Sequence, residues 1–199
     1  MPGTPTSSSL SRGRLLDAMR SALREKPLRA VTVADVVRLA RVSRRTFYEE
    51  FATREQCYIA LLEQEDARMA ANVRSAVDPA APWRDQVRQA VDAYVETVSA
   101  EPAICLSWVR DLPVLGAPGV EVGTRSMDTV VSLLQNLSRS RAFGRDGLEP
   151  LDDATARLLA GGIEALTASV LERGDDLREV APVLVRAAVA LAQAPRDGG

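Results

Sequence analysis

The sequence predicts an all-α protein of about nine helices, with a basic N-terminal head of three or four helices on an acidic helical body of five or six. Three observations carry the prediction. The chain is 46% apolar and rich in Ala, Leu, Arg and Glu, a composition that favours helix. Apolar residues recur at three- and four-residue intervals, and no run alternates long enough to read as a strand. Proline and glycine clusters punctuate that pattern at 78–82, 112–119 and 143–152. Aromatic residues make up only 4% of the chain, so the core must rest on Leu, Val and Ala.

The elements follow in order. Residues 1–11 are rich in Ser, Thr, Pro and Gly and read as a disordered arm, with Arg12 and Arg14 just beyond it. A first helix spans 12–26, where Leu15, Leu16, Met19, Ala22 and Leu23 form one apolar stripe, and Pro27 stops it. Thr32 caps a second helix, "TVADVVRLA", with Asp35 placed as in a capping box and Val33, Val36, Val37 and Ala40 inward. Arg41 and Val42 make a tight turn. Ser43 caps a short third helix that turns Phe47 and Phe51 inward. A fourth helix covers 53–77, with Tyr58, Leu61 and Leu62 on one side. Helices then fall at 83–100, 102–111 and 121–141, separated from the next by a loop at 143–152. Asp152 caps a helix running to Arg173, and the last spans 176–194 before a frayed "PRDGG" tail.

Charge divides the chain the same way. Residues 1–54 carry eleven Lys and Arg against five Asp and Glu, a balance of +6, while the remainder carries fourteen against twenty-two, or −8. A basic head fits a polyanionic partner, and the body does not. The chain has no histidine, which removes the usual general base and most zinc sites. Cys57 and Cys105 stand in no metal-like spacing and read as reduced structural thiols, so neither metal nor cofactor is expected. The acid pairs Asp152-Asp153 and Asp175-Asp176 sit at helix starts, where carboxylates serve as caps, so an all-helical enzyme is a poor alternative. The N-terminus has no apolar signal core, and no apolar stretch reads as the roughly 20-residue length of a membrane span. A cytoplasmic protein without a membrane partner is expected.

The two helices at 32–51 have the spacing of a helix-turn-helix. The stretch "LLDAMRSALREKPLRAVTVADVVRLARVSRRTFYEEFATREQCYIALLE" resembles the DNA-binding head of the tetracycline-repressor (TetR) family of bacterial regulators, over about residues 12–63. The resemblance implies a DNA-binding domain there, a regulatory and dimerisation body over 64–195, and contacts to a double-stranded operator from Thr32, Val33, Arg41, Ser43, Arg44, Arg45, Thr46, Tyr48, Glu49 and Arg54. The residues make physical sense of those roles. Thr32 and Ser43 stand at helix N-termini, which favour phosphate, and Arg44 and Arg45 suit phosphate or guanine. Thr46 suits a thymine methyl or a phosphate, and Tyr48 offers its hydroxyl to the backbone. Glu49, four residues after Arg45, suits cytosine N4 or holds Arg45 in place, and Glu50 stands four residues before Arg54. Two positions depart from the family: Arg41 replaces the usual turn glycine, and Pro27 replaces a glycine that often ends the first helix.

A single short helix-turn-helix reads too few base pairs, so a homodimer is expected. On the 152–173 helix, Leu159, Ile163, Leu166 and Val170 form a bulky stripe, and Leu158, Gly162, Ala165 and Ser169 a smaller second one. The second stripe, with Leu184, Ala188 and Leu191 of the last helix, is the expected dimer face. The resemblance also implies an effector pocket in the body, for which Tyr94, Val98, Cys105, Trp108, Met127, Val131 and Leu134 are the candidate lining. The expected function is a repressor released from a palindromic operator by a small, mostly apolar effector of unknown identity. A regulator without a ligand is the alternative.

Overall fold

The computed structural model describes residues 7–194 and, among them, contains ten α-helices and no strand. In order these are α1 (Ser7–Glu25), α2 (Val33–Ala40), α3 (Arg44–Glu50), α4 (Arg54–Ala76), α5 (Trp83–Ala100), α6 (Pro102–Asp111), α7 (Ala117–Ser138), α8 (Arg141–Arg145), α9 (Asp153–Arg173) and α10 (Ala181–Gln193). Short 3-10 turns precede α2, α7 and α10, at Leu28–Ala30, Leu112–Leu115 and Leu177–Val180. The chain forms two compact units. The head unit comprises residues up to Glu65 together with Ala103–Val122, and the body unit comprises Asp66–Pro102 and the chain from Gly123 onward.

The head unit closes around one apolar cluster. Leu15, Met19 and Ala22 of α1, Val36 of α2, Phe47 of α3 and Tyr58, Leu61 and Leu62 of α4 are all completely buried in it. Ile104, Leu112 and Val122 belong to the same cluster, so α6 and the first turns of α7 are part of the head rather than of the body, to which a division at residue 63 assigns them. Polar bonds reinforce this: the Tyr58 hydroxyl donates to the Ser107 carbonyl at 3.0 Å, and Asp111 accepts from the Ser107 hydroxyl at 2.9 Å and the Leu28 amide at 3.3 Å.

The body unit packs α5 against α9 and α10. Val91, Val95, Val170, Leu177 and Leu184 share one cluster, and Val131, Leu151, Ala156, Leu159 and Ala160 form another. The buried amide of Gln86 ties down the 78–82 turn by donating to the carbonyls of Pro79 at 3.2 Å and Ala81 at 3.0 Å, and it accepts from the Ser140 hydroxyl. Asp152 caps α9, taking the Thr155 amide at 2.7 Å.

Several expected boundaries move, each for a stated reason. Residues 7–11 of the expected arm are already helical, and residues 1–6 lie outside the described residues, as does the whole of the expected frayed tail at 195–199. The expected loop at 112–119 is instead a 3-10 turn followed by α7, because Pro118 falls in the first turn of a helix, where its missing N–H costs nothing. Gly119 there is a close-approach position, since a Cβ would stand 2.1 Å from the Leu112 carbonyl oxygen. The loop expected at 143–152 contains part of α8, which opens after Ser140. The last helix is split at Val180, because Pro182 can only begin an α-helix and not sit within one. Finally, α9 is, among the described residues, a helix long and apolar enough to span a membrane by composition alone, with a mean hydropathy of 1.2, contrary to expectation. Its Leu159, Ala160 and Val170 lie in the body core, and the residual apolarity sits on its uncovered face.

Candidate nucleic-acid interface

The site is built on two helix caps and a turn. The Thr32 hydroxyl accepts the Asp35 amide at 3.2 Å while the Asp35 carboxylate takes the Thr32 amide at 2.9 Å, a reciprocal capping box that starts α2. The same carboxylate takes the Thr32 hydroxyl proton at 2.7 Å and the Lys26 ammonium at 2.8 Å. Bonds from Lys26 and Thr32 hold the Asp35 carboxyl well below the usual carboxylate range. Lys26 is a partner that sequence reasoning missed, because the helix it ends and the cap it supports are separated by a turn.

Arg41 closes α2 in the left-handed region, at φ 54° and ψ 47°. Its carbonyl accepts from Arg14 of α1 at 3.1 Å. Ser43 then caps α3, accepting the Thr46 amide at 3.0 Å, and its hydroxyl lies 2.9 Å from that of Thr46. Phe47 and Phe51 anchor α3 from below, with ring centroids 5.9 Å apart and both side chains buried. The Arg12 guanidinium lies 4.5 Å from the centroid of the Phe51 ring.

With that anchoring, α3 presents Arg44, Arg45, Tyr48 and Glu49 to solvent, Tyr48 being 58% exposed. Arg45 donates through Nε to Glu49 Oε1 at 2.9 Å, and that bond raises the guanidinium pKa further above its ordinary value. Thr32 and Ser43 are exposed at the starts of their helices, and Val33 is half-buried on α2 against the head core. Arg41 is exposed at the turn.

Arg54 is the exception among the predicted contacts. It is turned inward, with Nη1 donating to the carbonyls of Leu28 at 3.0 Å and Val31 at 2.6 Å, and Nε donating to Glu55 at 3.0 Å. Its guanidinium thus ties down the 3-10 turn before α2, giving the Leu28 carbonyl, which already takes the Val31 amide at 3.0 Å, a second bond. Asp111 holds the same turn through the Leu28 amide and was missed, since no local pattern connects residues 83 apart.

The predicted effector lining is drawn from both units. Trp108 packs on the head core, and Cys105, on the same helix, is half-buried. Tyr94 and Val98 flank the cluster of α5, α9 and α10, where the Tyr94 hydroxyl meets that of Thr167 at 2.8 Å. Met127, Val131 and Leu134 belong to the cluster around Leu151 and Leu159. Helical periodicity identifies inward residues but not which neighbour they face. The expected dimer face divides similarly. Leu158 is 66% exposed, Gly162 and Ala165 are exposed, and Ser169 is half-exposed. Leu184, by contrast, is 3% exposed and part of the body core, and Ala188 and Leu191 pack partly against that core. The exposed stripe of α10 is Val183, Ala187 and Ala190, offset by one residue from the expected one.

The described residues thus contain an N-terminal helix-turn-helix unit, capped at both helices, and an all-helical body. Residues 15–61 match the sequence profile of the bacterial regulatory proteins of the tetR family. The HTH-type transcriptional regulator AlkX of Mycobacterium tuberculosis is 35% identical over 78 residues, a stretch that covers 39% of this chain and 37% of that regulator. The whole fold is similar to a bacterial regulatory protein of the tetR family from Rhodococcus RHA1, with a TM-score of 0.69 at 18% identity over 94% of this chain and 98% of the other. It is also similar to the transcriptional regulator FadR from Bacillus subtilis in complex with stearoyl-CoA, with a TM-score of 0.75 at 13% identity over 92% and 99% of the two chains. The head is thus similar in sequence to the DNA-binding domain of tetR-family regulators, and the fold of the chain is similar to theirs.

Proposed function

We propose that the protein is a cytoplasmic, sequence-specific transcriptional regulator that binds a palindromic operator as a homodimer and represses until a small, mostly apolar effector releases it. The observation that carries the reading is the exposed face of α3, where Arg44, Arg45, Tyr48 and Glu49 stand opposite the buried Phe47. Arg44, Arg45 and Arg41 supply phosphate or guanine contacts, and the caps at Thr32 and Ser43 offer helix N-termini to the backbone. Glu49 holds Arg45 through the 2.9 Å bond and disfavours duplexes that leave its carboxylate against a phosphate. Two such heads on one face of the duplex, about 34 Å apart, require a dimer. The uncovered stripes of α9 (Leu158, Gly162, Ala165) and α10 (Val183, Ala187, Ala190) support a two-fold four-helix contact.

An effector acts by preferring the conformation with the wrong head spacing, and lowers operator affinity by its differential affinity for the two states. A relative of the same fold was crystallised with stearoyl-CoA, which puts long-chain acyl-CoA thioesters first in an effector screen. The test is selection of duplexes from a random library by the full chain, followed by mobility shift of the winner at several salt concentrations. Three arginines per head give about six phosphate contacts per dimer, so log K should fall with log salt at a slope of roughly −5. Failure to enrich any duplex, with a flat salt dependence, would reject the reading.

A further inference from the structure

Arg41 is, among the described residues, the one non-glycine residue at positive φ. A side chain in that region biases the backbone roughly fivefold against the native turn, equivalent to about 1 kcal/mol. Something must offset that bias, because this turn fixes where α3 begins. The turn's own amides close back on α2, Arg41 N–H to the Arg38 carbonyl at 3.3 Å and Val42 N–H to the Val37 carbonyl at 3.1 Å. The Arg41 carbonyl lies beyond the last turn of α2 and takes its hydrogen bond from outside the motif, from Arg14 Nη2 at 3.1 Å. A cationic donor on a neutral carbonyl makes a charge-assisted bond, stronger than an amide would give. Two residues earlier on α1, Arg12 covers the Phe51 ring at the other end of α3.

We propose that Arg14 is a positioning residue for DNA recognition: its bond to the Arg41 carbonyl holds the strained α2–α3 turn and so sets the angle at which α3 is presented. The proposal rests on α3 being the DNA-contacting helix and extends it to a side chain on α1, outside the helix-turn-helix. It assigns Arg14 a task that its charge alone does not reveal, since an exposed arginine beside a DNA-binding motif otherwise reads as one more phosphate contact. It also accounts for an arginine at a position where glycine adopts the same backbone without strain. The device joins two arginines 27 residues apart in sequence, one supplying the left-handed turn and the other its brace.

The experiment is a double-mutant cycle on the full-length protein: wild type, Arg14→Ala, Arg41→Gly and the double variant. Each is measured in two ways. Thermal unfolding without DNA tests the brace itself. Arg14→Ala should lower the melting temperature in both backgrounds, because Arg41→Gly keeps the backbone carbonyl that Arg14 binds. Binding is then measured to a duplex selected by the wild type from a random library and to a scrambled duplex of the same composition. Arg14→Ala should reduce the ratio of these affinities about fivefold, with the salt slope on the scrambled duplex unchanged, and at least as much in the more flexible Arg41→Gly background. Arg14→Lys, which keeps a cationic donor, should recover part of the ratio. An unchanged melting temperature for Arg14→Ala in both backgrounds would overturn the proposal. So would a salt slope lower by about one with an unchanged ratio, which would make Arg14 a phosphate contact. If Arg14→Ala lowers the melting temperature but the wild type selects no duplex, it is the DNA-binding reading that fails, and the positioning role fails with it.

Discussion

Leu158 offers the sharpest test of the dimer, because its large apolar side chain stands 66% exposed on a helix whose opposite face is core. Complete burial of a leucine side chain is worth about 2 kcal/mol, and two-thirds of that remains to be gained at an interface. Truncation to alanine keeps one methyl group, so Leu158→Ala should forfeit about 1 kcal/mol per copy. A two-fold interface loses it twice, about 2 kcal/mol, which weakens the dimer roughly thirtyfold in Kd. The same exposure predicts that each protomer is little affected, as the truncated atoms touch mostly solvent. Sedimentation equilibrium or mass photometry across a nanomolar-to-micromolar dilution series reads the shift directly. An unchanged dimer constant for Leu158→Ala, or a wild type that stays monomeric at micromolar concentration, would refute the reasoning and return the α9 stripe to being surface.

Two further outcomes follow from the site and the head core. The depressed pKa of Asp35 contributes stability that is present above the unfolded carboxyl value, about 4, and is lost as pH falls through the folded value; the melting-temperature gap between wild type and Asp35→Asn should therefore be widest near pH 7 and shrink progressively below pH 4. Cys57 is completely buried, and desolvation pushes its thiol up to about 12, so an aromatic disulfide reagent at pH 8 should modify at most one of the two cysteines until denaturant is added.

The parts of the fold legible in the sequence are those where local chemistry and tertiary packing agree. Thr32, Ser43 and Asp152 are side chains that cap by their own nature, and the helices they start begin at the next residue. The bounds of α5 and α6 were legible because Pro82 and Pro102 stand where a helix can only open. The same residue type misled at 112–119 and at Pro182, since proline marks either a stop or a start and the sequence does not say which. Leu184 shows a second limit. Its stripe was read from spacing, but the phase of a helix whose faces are both partly apolar is set by what packs on it, here Val91, Val95 and Val170 of the body cluster. The seven candidate lining residues show the same limit, since periodicity marks them as inward but does not assign them to one cavity.

Arg54 marks the limit that bears most on function. Charge and position gave it the same standing as Arg44 and Arg45, yet its environment reverses the role. The Leu28 carbonyl, already bonded to the Val31 amide, and the Val31 carbonyl both accept from Arg54 Nη1, so this guanidinium is turned toward the backbone and not outward like those of Arg44 and Arg45. Arg14 is its counterpart on α1: both brace the turns that flank α2, one before the helix and one after it. Removing either side chain therefore differs in kind from removing Arg44. Loss of Arg44 weakens binding to every duplex and flattens the salt dependence, whereas loss of a brace alters how α3 is held and is felt in the preference between duplexes. A basic head is thus not a uniform set of DNA contacts. Some of its positive charge holds the recognition helix, and only the structure separates those arginines from the ones that face outward.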